Sequence, residues 1–300
     1  MNTGKYRLIG RSGLVGMTLL VCLAGCKKDE QSVLHIARAD YQPQQVEKTY
    51  IGMGLDDMVA YWDDTDHVKI NGSSYSLTDI NVGEAKAENV SPSSGKYFAV
   101  YPAYPSTNSI NASGSGSVLI PNSQTYIEKT VSGTTRQVIN APMAAYLPST
   151  SGILYFRNVA GLLRIAVMNG NVTQAGAAGQ NFTVNSITIT SLRNAKLCGT
   201  QAFSYSGNSE SSNISIGNLT GGGQTVTLTN CDRAGSIASG SMKVFNIVVA
   251  PYSSDTLSIT INGELGSTGA KDYTITQNTA RTLSHGEVAV QFFATNFDKQ

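Results

Sequence analysis

The sequence predicts an all-β protein of sandwich type. Three observations carry that expectation. Many short apolar runs alternate with turn signals. Several runs alternate strictly between apolar and hydroxyl residues. No stretch sustains helical periodicity. Ile187-Thr188-Ile189, Ile214-Ser215-Ile216, Val226-Thr227-Leu228 and Leu257-Ser258-Ile259-Thr260-Ile261 follow a period of two. That period places one side-chain row in a core and the Ser/Thr row toward solvent.

Lys5, Arg7 and Arg11 precede an apolar run from Leu14 to Leu23. A run of about ten residues is too short for a spanning helix, which needs about 20, and suits a secretory signal. It ends in Leu23-Ala24-Gly25-Cys26, which resembles the lipobox of bacterial lipoproteins. Residues 1–25 are therefore expected to be removed and Cys26 to take the lipid. Acyl chains contribute about 0.8 kcal/mol per buried methylene, so several on one cysteine anchor a protein without a helix. Lys27-Lys28-Asp29-Glu30 resembles a surface-export signal of some Gram-negative lipoproteins; a solvated tether is the alternative. Residues 26–45 read as that tether, with an early strand at Ser32 to Ala37.

Residues 46–150 form the expected N-terminal sandwich. Val68-Lys69-Ile70 is followed by Asn71-Gly72 and then Tyr75 to Leu77. Asn-Gly between two such runs marks a hairpin, because both residues tolerate positive φ. Tyr97 to Tyr101 is a strand closed by Pro102, Ser113 to Ser117 reads as a Gly/Ser loop, and Val118 to Ile120 stops at Pro121. Residues 151–300 form the expected C-terminal sandwich. Ile153 to Phe156 and Leu162 to Met168 open it. Val244 to Ala250, apolar on nearly every residue, reads as a central strand covered on both sides. Tyr273 to Ile275 and Val288 to Phe292 finish it.

Composition excludes several functions. Removing residues 1–25 takes three of the 21 basic residues and none of the 20 acidic ones. The mature part then has 18 basic against 20 acidic residues, a net charge of about −2. With no basic stripe, no nucleic-acid partner is expected. At 41% hydrophobic residues the chain has material for cores and is not of disordered type. Cys198 and Cys231 lie beyond the anchor, and an exported protein permits a bridge between them; two free thiols are the alternative. No Cys/His spacing suggests zinc. Asp63-Asp64-Thr65-Asp66 is the best calcium candidate, but no Gly or terminal Glu completes an EF-hand loop, so a turn is the simpler reading and no metal is expected. Gly221-Gly222-Gly223 lacks a P-loop lysine and reads as a turn. Trp62 reads as a core or edge anchor. His35, His67 and His285 stand far apart, and no nucleophile elbow is present, so neither an enzyme nor a cofactor is expected.

The order of several segments resembles the fimbrillin family, the subunits of type V pili. After the lipobox comes Ala60 to Gly72, similar to the family's Trp, Asp, hydrophobic, Asn-Gly segment. Tyr97-Phe98-Ala99-Val100-Tyr101-Pro102 looks like its aromatic strand ending in proline. Ile120 to Tyr126 resembles its Pro-x-x-Gln segment, and Ala141-Pro142-Met143 its Pro-Met segment. Leu154 to Ile165 is similar to the strand pair opening its second domain. The resemblance implies two tandem transthyretin-like β-sandwich domains and export as an outer-membrane surface lipoprotein. It also implies proteolytic removal of a first strand and filling of the vacated groove by a strand from a neighbouring subunit. Carried onto this chain, the cleavage candidate is the bond between Arg38 and Ala39. The implied partners are other pilus subunits and, for an adhesive role, host or bacterial surface receptors. The competing reading is a glycan-binding surface lipoprotein, which needs several exposed aromatics on one sheet face.

The last segment carries Val288, Val290 and Phe292 on one parity and Phe293 and Phe297 on the other. A one-residue shift turns side chains to the opposite face. The strand is therefore expected to bulge or end at Phe292-Phe293. Phe293 and Phe297 are then the candidate anchors of a donor strand, with a plain last strand as the alternative.

Overall fold

The computed structural model describes residues 33–38, 42–43, 62–81, 84–131, 134–170, 179–206 and 213–295. The expectations for the signal peptide, Cys26, Ala39 and Phe297 lie outside these residues. Strands dominate, and the sheets stack in a sandwich-like arrangement. Among the described residues the one helical element is a 3-10 turn, Cys231–Ala234.

An eight-stranded sheet runs, edge to edge, Ser73–Ser76, His67–Ile70, Tyr97–Tyr101, Met143–Leu147, Ile153–Asn158, Leu34–Arg38, Glu84–Ala87 and Thr78–Asn81. Its hairpin forms as the sequence predicts. Ile70 pairs with Ser73, and Asn71 (φ 50°) and Gly72 (φ 88°) both take the left-handed backbone that a two-residue turn requires. Inward residues of this sheet, from Leu34 to Phe156, form one apolar cluster that includes Trp62.

A second core lies between a five-stranded and a four-stranded sheet. The five-stranded sheet runs Ser123–Thr125, Thr225–Thr229, Phe182–Ser191, Leu257–Leu265, Ala270–Thr276. The four-stranded sheet runs Gln42–Pro43, Glu287–Thr295, Gly161–Asn169, Met242–Val249. Ile187, Ile189, Ile259 and Ile261 meet Leu163, Ile165, Phe245 and Ile247 there, as the period-two pattern requires. Another four-stranded sheet runs Asn213–Thr220, Gly199–Ser206, Ser115–Ile120, Ser109–Ile110; its Val118 and Phe203 cluster with Val100 and Ala144 of the eight-stranded sheet.

Four expectations are corrected. Ile153–Asn158 belongs to the eight-stranded sheet, not to the C-terminal strands, because its partners are Met143–Leu147 and Leu34–Arg38. Ser115 to Ser117 is strand rather than loop. Gly116 is there for space: a Cβ on it would lie 2.1 Å from the Ser109 carbonyl oxygen and 2.7 Å from the Phe203 ring.

Met242–Val249 is an edge strand, not a central one. Both parities are apolar because both faces are covered, Phe245, Ile247 and Val249 by one cluster and Val248 and Ala250 by another. Its outer edge is capped by side chains. Gln124 donates Nε2–H to the Val248 carbonyl (2.6 Å) and accepts the Val248 N–H (3.0 Å). Gln137 does the same for Asn246, at 2.8 and 2.7 Å. A carboxamide offers the donor and acceptor of a peptide group, so the two glutamines stand in for a neighbouring strand and close the edge.

The C-terminal strand neither bulges nor ends at Phe292. It pairs in parallel with Gly161–Asn169 in unbroken register, Leu162 with Val288 through Asn169 with Thr295. The two apolar parities have a different cause: Ala289 and Phe293 enter the second core while Val288 joins the smaller cluster on the other face.

Candidate functional site

The resemblance directs attention to the first strand, and the structure gives it an unusual place. Leu34–Arg38 lies inside the eight-stranded sheet, with a neighbour on each side. On one side it runs parallel to Ile153–Asn158, pairing His35 with Ile153, Ile36 with Leu154, Ala37 with Tyr155 and Arg38 with Phe156. On the other it runs antiparallel to Glu84–Ala87, pairing Leu34 with Ala87, His35 with Lys86, Ile36 with Ala85 and Ala37 with Glu84. Neither neighbour follows it directly in sequence. Lifting it out would leave two unpaired strand edges facing each other across one strand's width.

Burial follows the period of two. Leu34 and Ile36 point inward and are 4% and 1% exposed, while His35 faces solvent. They share one apolar cluster with Ala85, Ala87, Leu154, Phe156 and Trp62. Trp62 stands edge-on to Phe156 (ring centroids 5.4 Å apart) and to Tyr101 (5.3 Å), which fixes it as a core anchor. The Tyr101 hydroxyl donates to Asp66 Oδ1 at 2.6 Å, and Asn140 Oδ1 lies 3.1 Å from the same hydroxyl oxygen.

The aspartates after Trp62 serve the turn into His67–Ile70. Asp63 Oδ1 accepts the Thr65 N–H and hydroxyl, and the Asp63 N–H donates to Asp66 Oδ2. Lys129 reaches both Asp63 (2.5 Å) and Asp64 (2.8 Å). Burial works to raise the Asp63 carboxyl. Lys129 and the Thr65 donors outweigh it and hold the group well below the usual carboxylate range.

The other sequence-marked residues are dispersed. His67 Nδ1 pairs with the Thr65 carbonyl oxygen and its Nε2 with the Ser76 hydroxyl; His285 pairs with the Asn158 carbonyl oxygen. Cys198 and Cys231 are free, buried thiols. Burial, with Asp232 adding to it, pushes the Cys231 thiol up to about 12, the opposite of a nucleophile's requirement. The Gly221-Gly222-Gly223 turn borders a groove of about 630 Å³ that no charged or aromatic side chain lines. Among the described residues the well-exposed aromatics are Tyr104 and Tyr155, while Tyr97, Tyr101, Tyr126, Tyr146, Tyr252 and Tyr273 are buried. That is far from the aromatic row a glycan platform needs. Phe293 is buried in the chain's own core. No described helix is long and apolar enough to cross a membrane.

Sequence reasoning marked the first strand but not the place it takes between two other strands. The slot depends on Glu84–Ala87, a strand of only four residues, EAKA, with no β-branched or aromatic residue to announce it.

No protein-family model and no curated protein sequence matches the chain. Several solved structures are similar to it. A candidate cell adhesion protein from Bacteroides uniformis aligns with a TM-score of 0.43 at 12% identity, over 89% of this chain and 94% of that one. One from Bacteroides fragilis aligns at 0.43 and 12%, over 87% and 92%. A fimbrial protein from Bacteroides vulgatus aligns at 0.27 and 10%, over 88% and 95%.

Proposed function

We propose that this chain is a fimbrillin-like surface lipoprotein, a structural or adhesive component of a type V pilus, joined to its neighbours by exchange of one strand. The observation that carries the reading is the place of Leu34–Arg38: a short N-terminal strand, inserted between two sequence-distant strands, ending on an arginine. A strand so placed can be exchanged for another without rethreading the chain. An incoming strand would regain the backbone hydrogen bonds of both edges and refill the Leu34 and Ile36 positions.

The proposed organisation is two tandem transthyretin-like sandwiches. What supports it is the separation of the cores, one drawing on Leu34 to Phe156 and the other on Leu163 to Phe293 with Tyr126 added from outside. The donor role stays assigned to the C-terminal segment with Phe293 and Phe297. Because Phe293 fills the chain's own core, donation from Phe293 onward requires the end of the strand to peel from Gly161–Asn169.

The test is processing of the intact lipoprotein by an arginine-specific protease. We expect a new N-terminus at Ala39, followed by fibres visible by electron microscopy. Excess free peptide of residues 33–38 should suppress fibre growth. Cut protein that stays monomeric would contradict the reading. Anchoring is tested separately: Cys26→Ser should abolish acylation and move the protein out of the outer-membrane fraction, read by fractionation and mass. Unchanged membrane retention would remove the lipid anchor from the account.

A further inference from the structure

Glu128–Val131 and Thr134–Gln137 form a two-stranded ribbon outside the larger sheets, pairing Glu128 with Gln137 and Lys129 with Arg136. Successive side chains of a strand leave on opposite faces, so Glu128 and Gln137 share one face of the ribbon and Lys129 takes the other. The two faces are fastened to different cores. On one, Gln137 grips Asn246 of the edge strand Met242–Val249, and Glu128 Oε1 accepts the Tyr126 hydroxyl. Tyr126 is itself buried in the second core, its ring 5.5 Å from that of Phe245. On the opposite face, Lys129 pairs with Asp63 and Asp64, the two residues after Trp62 of the first core. Three residues past the ribbon, Asn140 Oδ1 lies 3.1 Å from the hydroxyl of Tyr101, another member of that first core.

Resting on the two-sandwich reading above, we infer that this ribbon is a clasp that fixes the angle between the two sandwiches, and that Lys129 is its release point. Domains joined through a modest interface move relative to each other by default, so a fixed angle needs a part that both of them hold. The two grips differ in kind. The grip on the second core consists of uncharged hydrogen bonds and a buried ring, which salt leaves in place. The grip on the first core is a partly exposed ion-pair cluster, with side chains 41% (Lys129), 17% (Asp63) and 81% (Asp64) exposed, and salt screens it. Ionic strength therefore acts on one grip only. At low salt the ribbon holds both sandwiches; at high salt it stays with the second and lets go of the first. In a pilus component this difference decides whether the sandwiches carry load as one rod or as two linked beads.

Spin-label distances in the full lipoprotein in detergent read the angle. Ser74→Cys/Lys271→Cys places one label on an exposed edge strand of each sandwich, and Ser74→Cys/Glu84→Cys places both on the eight-stranded sheet as a control. Cys198 and Cys231 are buried and stay unlabelled in the folded protein. At low salt the cross pair should give a narrow distance distribution. In Lys129→Met its width should at least about double, and Lys129→Arg should restore it. In the parent chain, sodium chloride at about 1 M, where the Debye length falls to about 3 Å, should broaden the cross pair likewise, with no further effect on Lys129→Met. A cross pair that stays narrow without Lys129, one already broad in the parent, or a control pair that broadens along with it overturns the inference. Hydrogen exchange in rising urea separates that outcome from failure of the two-sandwich reading. Protection lost at different urea concentrations in residues 143–147 and 161–169 leaves two sandwiches standing without a clasp. Loss at one shared concentration removes the sandwiches as separate bodies.

Discussion

Ile36→Asp should release the first strand while leaving the second core folded. Ile36 is 1% exposed, shares a cluster with Leu154, Phe156 and Trp62, and pairs on both sides through a strand of five residues. Replacing it with a carboxylate removes the transfer free energy of a buried aliphatic chain and would bury a charge among apolar side chains. The loss of the Ile side chain alone costs roughly 2–5 kcal/mol, and the buried charge adds several more. Together these exceed what five ordered residues can contribute, so releasing the strand is cheaper than burying the aspartate. Hydrogen exchange by mass spectrometry should show protection lost in residues 33–38, 84–87 and 153–158 and kept in 161–169 and 257–265. Free peptide of residues 33–38 should restore it. Loss of protection throughout would mean that the first strand is not a separable element.

The features behind that expectation differ in how far they can be read from the sequence. The alternation of Leu34 and Ile36, the Asn71-Gly72 turn and the hydroxyl-apolar rows of Ile187–Ile189 and Leu257–Ile261 are local signals, set by a period of two and by turn chemistry, and they reappear in the structure. Sheet membership is not local. His35 meets Ile153, and Gly199 meets Ile120, across long separations that no periodicity encodes. Continuous apolar runs misled for the same reason. Val244 to Ala250 and Val288 to Phe293 are apolar on both parities because other layers cover both faces. That condition holds equally for a central strand, for an edge strand capped by Gln124 and Gln137, and for a last strand. Pro121-x-x-Gln124 was visible as a segment, but what the glutamine does depends on Val248, which lies 124 residues away.

The second large effect belongs to the structural core rather than the slot. Asp255 is 1% exposed, and its two carboxylate oxygens accept four donors: the Ser191 hydroxyl (2.5 Å) and the N–H groups of Arg193 (2.9 Å), Ala195 (3.0 Å) and Thr256 (2.6 Å). It thereby fastens the chain leaving Phe182–Ser191 to the entrance of Leu257–Leu265, the central pair of the five-stranded sheet. Asp255→Ala leaves those donors without their acceptor, at a cost of roughly 3–5 kcal/mol in the urea unfolding of this core at neutral pH. The pH dependence has a definite sign. Burial acts to raise the carboxyl, but the hydrogen bonds from Ser191, Ala195, Arg193 and Thr256 outweigh it and lower the folded value. A depressed folded pKa gives stability that is fully present above the unfolded carboxylate value of about 3.9 and is lost as the pH falls through the folded one. The stability gap between the parent chain and Asp255→Ala should therefore stay constant from about pH 7 to pH 5 and narrow below about 3.9. A gap that widens on acidification, or a variant as stable as the parent at neutral pH, would show that the four donors find other acceptors and that Asp255 does not hold this corner together.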